Sequence, residues 1–149
     1  LIRQGQLVNT LVSARSSKEY DLPSNGANAA EVPRAMVVEP GTLEEADILR
    51  RIGTGVYLSN LHYLNWSDRP SGRITGMTRY ACLAVKDGEV MGPLATLRWD
   101  DTAYRMLGTE LEDLTTQTQT SPQVGTYFNR ELGATRTPGA LLSSMRFTL

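Results

Sequence analysis

The stretch from Ile74 to Trp99, ITGMTRYACLAVKDGEVMGPLATLRW, constrains the fold of this chain more than any other. Asp87-Gly88 is a two-residue turn signal with apolar runs on both sides, the pattern of a β-hairpin. Lys86 and Glu89 flank the turn as an opposite-charge pair. Counting back from the turn sets Val85 opposite Val90, Ala84 opposite Met91 and Leu83 opposite Gly92. Ala81, Leu83 and Val85 make one face apolar, and Tyr80, Cys82 and Ala84 the other. A strand apolar on both faces is expected in the middle of the fold, covered on both sides. Cys82 then faces Pro93, which has no N–H to give, so pairing is expected to end or bulge at Gly92-Pro93. The reading buries Leu83 and Val85.

The chain has 149 residues, enough for one domain with a real core. Its formal charge is −1, which gives no basic footprint for nucleic acid or an acidic membrane surface. No apolar run approaches the length of a membrane-crossing helix. Cys82 is the single cysteine, so no internal disulfide can form, and a cytoplasmic location fits. The start carries no signal-peptide pattern, and Leu1 opens in what reads as mid-strand. A piece of a larger protein is therefore expected.

Along the chain, LIRQGQLVNTLV reads as strand, a turn near Gln4-Gly5, then strand up to Val12. Ala14 to Tyr20 suits a helical turn, Asp21 to Glu31 a loop, and Arg34 to Val38 a short strand. Thr42 with Glu45 forms a capping box, and Leu43, Ala46, Leu49 and Ile52 make an apolar stripe. Arg50 and Arg51 suit a helix C-terminus, and Gly53 or Gly55 can end it. Val56 to Leu64 reads as strand and Asn65 to Gly72 as loop. After Trp99, Asp100 or Asp101 can cap a second helix whose stripe is Ala103, Leu107, Leu111 and Leu114. TTQTQTSP reads as a polar connector, and Gly139 to Leu149 as a closing strand. The expected class is α+β: mainly antiparallel sheet, sandwich or barrel-like, with two inserted helices.

The chemistry available is narrow. A zinc site needs three or four His, Cys, Asp or Glu ligands, and this chain holds one His and one Cys. His62, in a strand among Leu61, Tyr63 and Leu64, reads as a packed or hydrogen-bonded histidine. Cys82 reads as a small buried hydrophobe. There is no Gly-x-Ser-x-Gly elbow and no Gly-rich phosphate loop. Tyr63, Trp66, Arg73, Thr75 and Arg79, with Arg69, gather near the hairpin mouth. They are the candidate rim for a peptide or an anion. The other reading is a solvated edge with stacked arginines.

The order of these elements resembles the C-terminal part of the TldD/PmbA family. The residues that carry it are LIRQGQLVNTLV, SNGANAA, PGTLEEADILRRIGTGVYLSNLHYLNW, SGRITGMTRY, VKDGEVMGPLATLRWDD and PGALLSSMRFTL. The family is metallopeptidase-related, is linked to peptide maturation and proteolysis, and is also described as modulator of DNA gyrase. Its active members resemble zinc metallopeptidases, with an upstream His-Glu-x-x-x-His helix and a late Cys ligand. This sequence contains no His-Glu pair, and Gly125 to Pro138 holds no Cys. The resemblance therefore carries over no catalytic and no metal-ligating residue. It leaves zinc to the rest of a full-length protein or to a partner, and places the chain closer to non-catalytic PmbA-type members. It implies one domain over 1–149, a homodimer or related subunit, and a peptide substrate at the rim. The reading from a different class is a non-enzymatic protein-binding or assembly module unrelated to proteolysis.

Overall fold

The computed structural model describes residues 1–126, 130 and 132–148. The chain packs as two units: Leu1–Val38 with Gln119–Thr137, and Glu39–Thr118 with Pro138–Leu149. The expected α+β class holds, since the chain combines mostly antiparallel strands with short helices; the barrel-like form does not, since no sheet closes on itself among the described residues.

In the first unit, β1 (Ile2–Arg3) and β2 (Gln6–Leu7) form a small hairpin about Gln4 and Gly5, both at positive φ. The expected second strand stops at Leu7 and does not run on to Val12. Helix α1 (Ala14–Tyr20) begins where Ser13 Oγ accepts from Ser16 N at 3.2 Å. Asp21 ends it in the left-handed conformation. Loop residues follow as expected, then β3 (Ala35–Val37), which runs parallel to the start of β9 (Ala134–Leu142).

The second unit is built on a longer hairpin than the sequence suggested. β4 (Gly55–Asp68) pairs with β5 (Arg73–Lys86) along nearly its whole length. The loop expected at 65–72 shrinks to Arg69–Gly72, because Asn65, Trp66 and Asp68 pair with Thr75, Ile74 and Arg73. On its other side β5 pairs first with β6 (Glu89–Pro93) and then with β7 (Arg98–Thr102). β10 (Phe147–Thr148) closes this sheet beside β7.

Asp87-Gly88 makes the expected turn, with Lys86 opposite Glu89 and Val85 opposite Val90. The register then shifts, and Ala84 faces Gly92 instead of Met91. The bulge falls one residue before the expected place, so Pro93 faces Leu83, and Leu94 N donates to Cys82 O at 2.7 Å. Val85 and Cys82 are buried but Leu83 is only half-buried, which corrects the expectation for Leu83. Nor is β5 covered throughout: Met77, Arg79 and Tyr80 are exposed. Val85→Ala is thus expected to cost about 2 kcal/mol in urea unfolding, and Leu83→Ala less. Leu83→Ala as the costlier change would contradict this register.

Both expected helices are altered by long-range pairing. Thr42 does not cap a helix: its N–H and Oγ1 donate to Asp113 at 3.1 and 3.0 Å. Leu43 is buried and bridges Thr115 in parallel. Helical structure starts only at a 3-10 turn, Glu45–Asp47, followed by α2 (Ile48–Ile52). Arg50 and Arg51 lie in its last turn and Gly53 ends it at φ 61°, as expected. The second helix reduces to a π-helical turn, Arg105–Thr109. Leu111 and Leu114 belong instead to β8 (Leu111–Pro122), which also takes up the TTQTQTSP stretch read as a connector. β8 and β9 are neighbours and contribute residues to both units.

Candidate functional site

The candidate rim lies on the β4–β5 hairpin. Alternation puts Arg73, Thr75, Met77 and Arg79 on one face of β5, and Ile74, Gly76 and Thr78 on the other. The first face is more open: Arg73, Met77 and Arg79 are exposed, while Gly76 and Thr78 are buried. Directly paired residues of antiparallel strands share a face. His62, opposite Met77, and Asp100, opposite Thr75, therefore join the open face.

The face is fixed by specific partners. Arg73 Nη1 reaches Asp100 Oδ1 at 3.3 Å. Thr75 Oγ1 donates to Trp99 O at 3.1 Å. Arg79 Nη1 meets His62 Nε2, and its guanidinium lies 5.1 Å from the Tyr80 ring centre. The His62 and Tyr63 rings contact edge-on at 4.6 Å. Tyr63 and Tyr80 both hold positive φ, 52° and 62°, and both are 77% exposed. Left-handed backbone is costly for an aromatic residue and marks an irregularity held by its surroundings. The pairing of β4 with β5 shifts between His62 and Asn65, which turns Tyr63 outward. The structure thus brings Tyr63 and Arg79 together through His62, and adds Tyr80. Sequence reading missed Tyr80, although a lone tyrosine beside Arg79 was a visible signal.

Trp66 is not brought into this group. It pairs with Ile74 and so lies on the opposite face from Arg73, Thr75 and Arg79. That face carries the core of the sheet. Trp99 is 1% exposed, and a Cβ on Gly76 would stand 2.9 Å from Trp99 Nε1 and from Leu64 Cδ2. The close approach of the indole requires glycine at this position. Trp99 Nε1 has no hydrogen-bond partner among the described residues.

A second constellation was read too simply. Asp101, expected as a helix cap, is a fully buried carboxylate. Its Oδ1 accepts from Thr102 N at 2.8 Å and Arg105 Nε at 2.9 Å. Its Oδ2 accepts from Arg105 Nη2 at 3.3 Å and Arg146 N at 3.1 Å. Arg105 Nη1 donates to Glu110 Oε1 at 2.7 Å. Glu110 Oε2 in turn accepts from Ser143 and Ser144 hydroxyls at 2.6 and 2.7 Å. Burial works to raise the Asp101 pKa, but the bonds from Arg105, Thr102 and Arg146, with the Arg105 charge, outweigh it and hold it below the usual value. The Ser143 and Ser144 hydroxyls and the Arg105 charge hold Glu110 down against its own desolvation. The network ties the π-helical turn and the segment before β10 to β7. The four-residue spacing of Asp101 and Arg105 was the available signal.

These residues do not fit a zinc centre. No three His, Cys, Asp or Glu side chains are grouped to hold a metal among the described residues. The Nε2 of His62 accepts from the Arg79 guanidinium, so its lone pair is engaged by a cation. Cys82 is buried in the sheet. What the open face can do chemically is bind: it offers guanidinium donors, an imidazole and aromatic rings.

Fold and site together define a small α+β domain with a cationic, aromatic sheet face. The chain belongs to the PmbA/TldD metallopeptidase family: residues 1–149 match the PmbA/TldA metallopeptidase C-terminal domain. It is similar in fold to TldE from Thermococcus kodakarensis, with a TM-score of 0.66 at 18% identity. That likeness covers 93% of this chain and 31% of the TldE chain. The comparison with curated proteins gave no match. No helix among the described residues is long and apolar enough to cross a membrane.

Proposed function

We propose that this domain is the substrate rim and scaffold of a PmbA/TldD-type protein acting in peptide maturation or proteolysis, with catalytic zinc supplied from outside this chain. The open face of β5 supports this reading most strongly, because Arg73, Arg79, Tyr63 and Tyr80 stand exposed on a long hairpin within a metallopeptidase-family domain. Tyrosine offers contact area at low conformational cost, and the planar arginine fork is pre-organised to donate to peptide oxygens. The family's other description, modulator of DNA gyrase, is the second reading of the same face, since docking a protein would use the same groups. Partnership with a like or related subunit through the terminal strands is part of the proposal. β10 is a sheet-edge strand, and Ile2 and Leu7 are exposed on the first hairpin.

Fluorescence anisotropy with a labelled, unstructured decapeptide tests the rim. Arg79→Glu is expected to weaken binding about ten-fold, the loss of one charge-assisted contact. Unchanged affinity would remove this face from the binding site.

A further inference from the structure

On the open face of the β4–β5 hairpin one guanidinium is balanced and another is held without a carboxylate. Arg73 meets Asp100 at 3.3 Å. Arg79 takes part in no ion pair among the described residues. The two strands that build its surroundings, β4 and β5, are described in full. β5 contains no acidic residue, and the single acid of β4, Asp68, lies at the far end of the hairpin opposite Arg73. Arg98, paired with Met77 two residues from Arg79, adds a further cationic side chain to this face.

Arg79 is nonetheless fixed in place. Neighbouring residues of a strand ordinarily point to opposite faces. The positive φ of Tyr80 breaks that alternation, and its ring centre comes to 5.1 Å from the Arg79 guanidinium. Ser59 holds the kink from β4: its hydroxyl donates to Arg79 O at 3.2 Å and accepts from Ala81 N at 3.1 Å. The pairing of β4 with β5 slips between Leu58 and Asn60, which frees Ser59 for this role. His62 Nε2 accepts from Arg79 Nη1, so the imidazole carries its proton on Nδ1, a further donor. The remaining N–H donors of the guanidinium have no partner among the described residues. A cation held by an imidazole and an aromatic ring keeps its charge uncompensated, and a carboxylate is the group that its planar fork bonds best.

We infer that Arg79 selects an acidic side chain, so that the substrates of the rim are peptides carrying Asp or Glu at the position that meets it. This inference rests on the rim reading of the β4–β5 face and narrows it. The carboxylate bonds the free part of the fork with no ion pair to break first, and the Arg98 charge adds to the attraction. Arg73 does not make the same selection, because Asp100 already engages it.

The test uses the whole chain and isothermal titration calorimetry with a pair of decapeptides, acetylated at the N-terminus and amidated at the C-terminus. They are identical except for a central Glu in one and Gln in the other. The Glu peptide is expected to bind about ten-fold more tightly, and Arg79→Gln to remove that difference. Equal, measurable binding of both peptides would overturn the inference and leave the rim standing. Binding of neither would remove the rim, and the inference with it. A preference that survives Arg79→Gln would overturn the assignment to Arg79. The Gln peptide with a free C-terminal carboxylate, if it bound as tightly as the blocked Glu peptide, would overturn selection of a side chain. The comparison of the two blocked peptides needs no substitution, so it decides the matter even if the variant folds poorly.

Discussion

Asp101→Ala is expected to lower the unfolding free energy by about 3 kcal/mol at neutral pH, measured by urea denaturation. The carboxylate is fully buried and accepts four hydrogen bonds, two from backbone N–H groups of Thr102 and Arg146. Removing it leaves those N–H groups and one side of Arg105 unpaired. The cost sits at the lower end of the range for a broken buried pair, because Arg105 keeps Glu110 at 2.7 Å. Asp101→Asn, which keeps the shape and loses the charge, is expected to cost less.

The same carboxylates set an acid limit. The folded-state pKa of Asp101 lies below its ordinary value, and Glu110, Asp113 and Glu31 are lowered too. Depressed carboxylates contribute stability that is complete above their unfolded pKa and is lost as pH falls through the folded one. Stability is therefore expected to be flat near neutrality and to drop below about pH 4. The drop should be shallower in Asp101→Ala. An identical profile for both proteins would show that Asp101 carries none of the linkage.

Trp99→Ala is expected to cost about 3–5 kcal/mol. The indole is 1% exposed, pairs in register with Gly76, and fills the space that glycine leaves. Its removal opens a cavity beneath β5 and loosens both neighbours, Leu64 and Phe147. Trp99→Phe separates volume from polarity. It keeps an aromatic ring and removes an N–H that has no partner among the described residues, so it is expected to cost well under half as much. Equal costs for the two changes would mean that the N–H itself is needed.

What the sequence made legible was local. The Asp87-Gly88 turn needs only two residues that tolerate positive φ, and both take it. Gly53 ends α2 for the same reason. The failures are non-local. Thr42 had all the chemistry of a cap, but Asp113, far along the chain, claims both its N–H and its hydroxyl. The TTQTQT run looked like a connector because it is polar, yet threonine suits an extended backbone and most of this run lies exposed in a strand. The site shows the same division. Arg73, Thr75 and Arg79 fall on one face by simple alternation, which sequence can give. Trp66 was grouped with them because 65–72 read as loop; in the structure it lies in β4 opposite Ile74, beyond a register shift that nothing in the sequence announces. The depth of Asp101 was invisible for a related reason, since it depends on Arg146 arriving from the end of the chain.

On the proposed function, this chain contributes binding and support while catalytic zinc comes from elsewhere. Metal content, measured by mass spectrometry after dialysis of the purified chain against zinc and then against metal-free buffer, tests it most directly. Far less than one zinc per chain is expected, because His62 is engaged by Arg79 and Cys82 is buried in the sheet. One tightly held zinc per chain, lost on changing His62 and Cys82 to Ala, would contradict it.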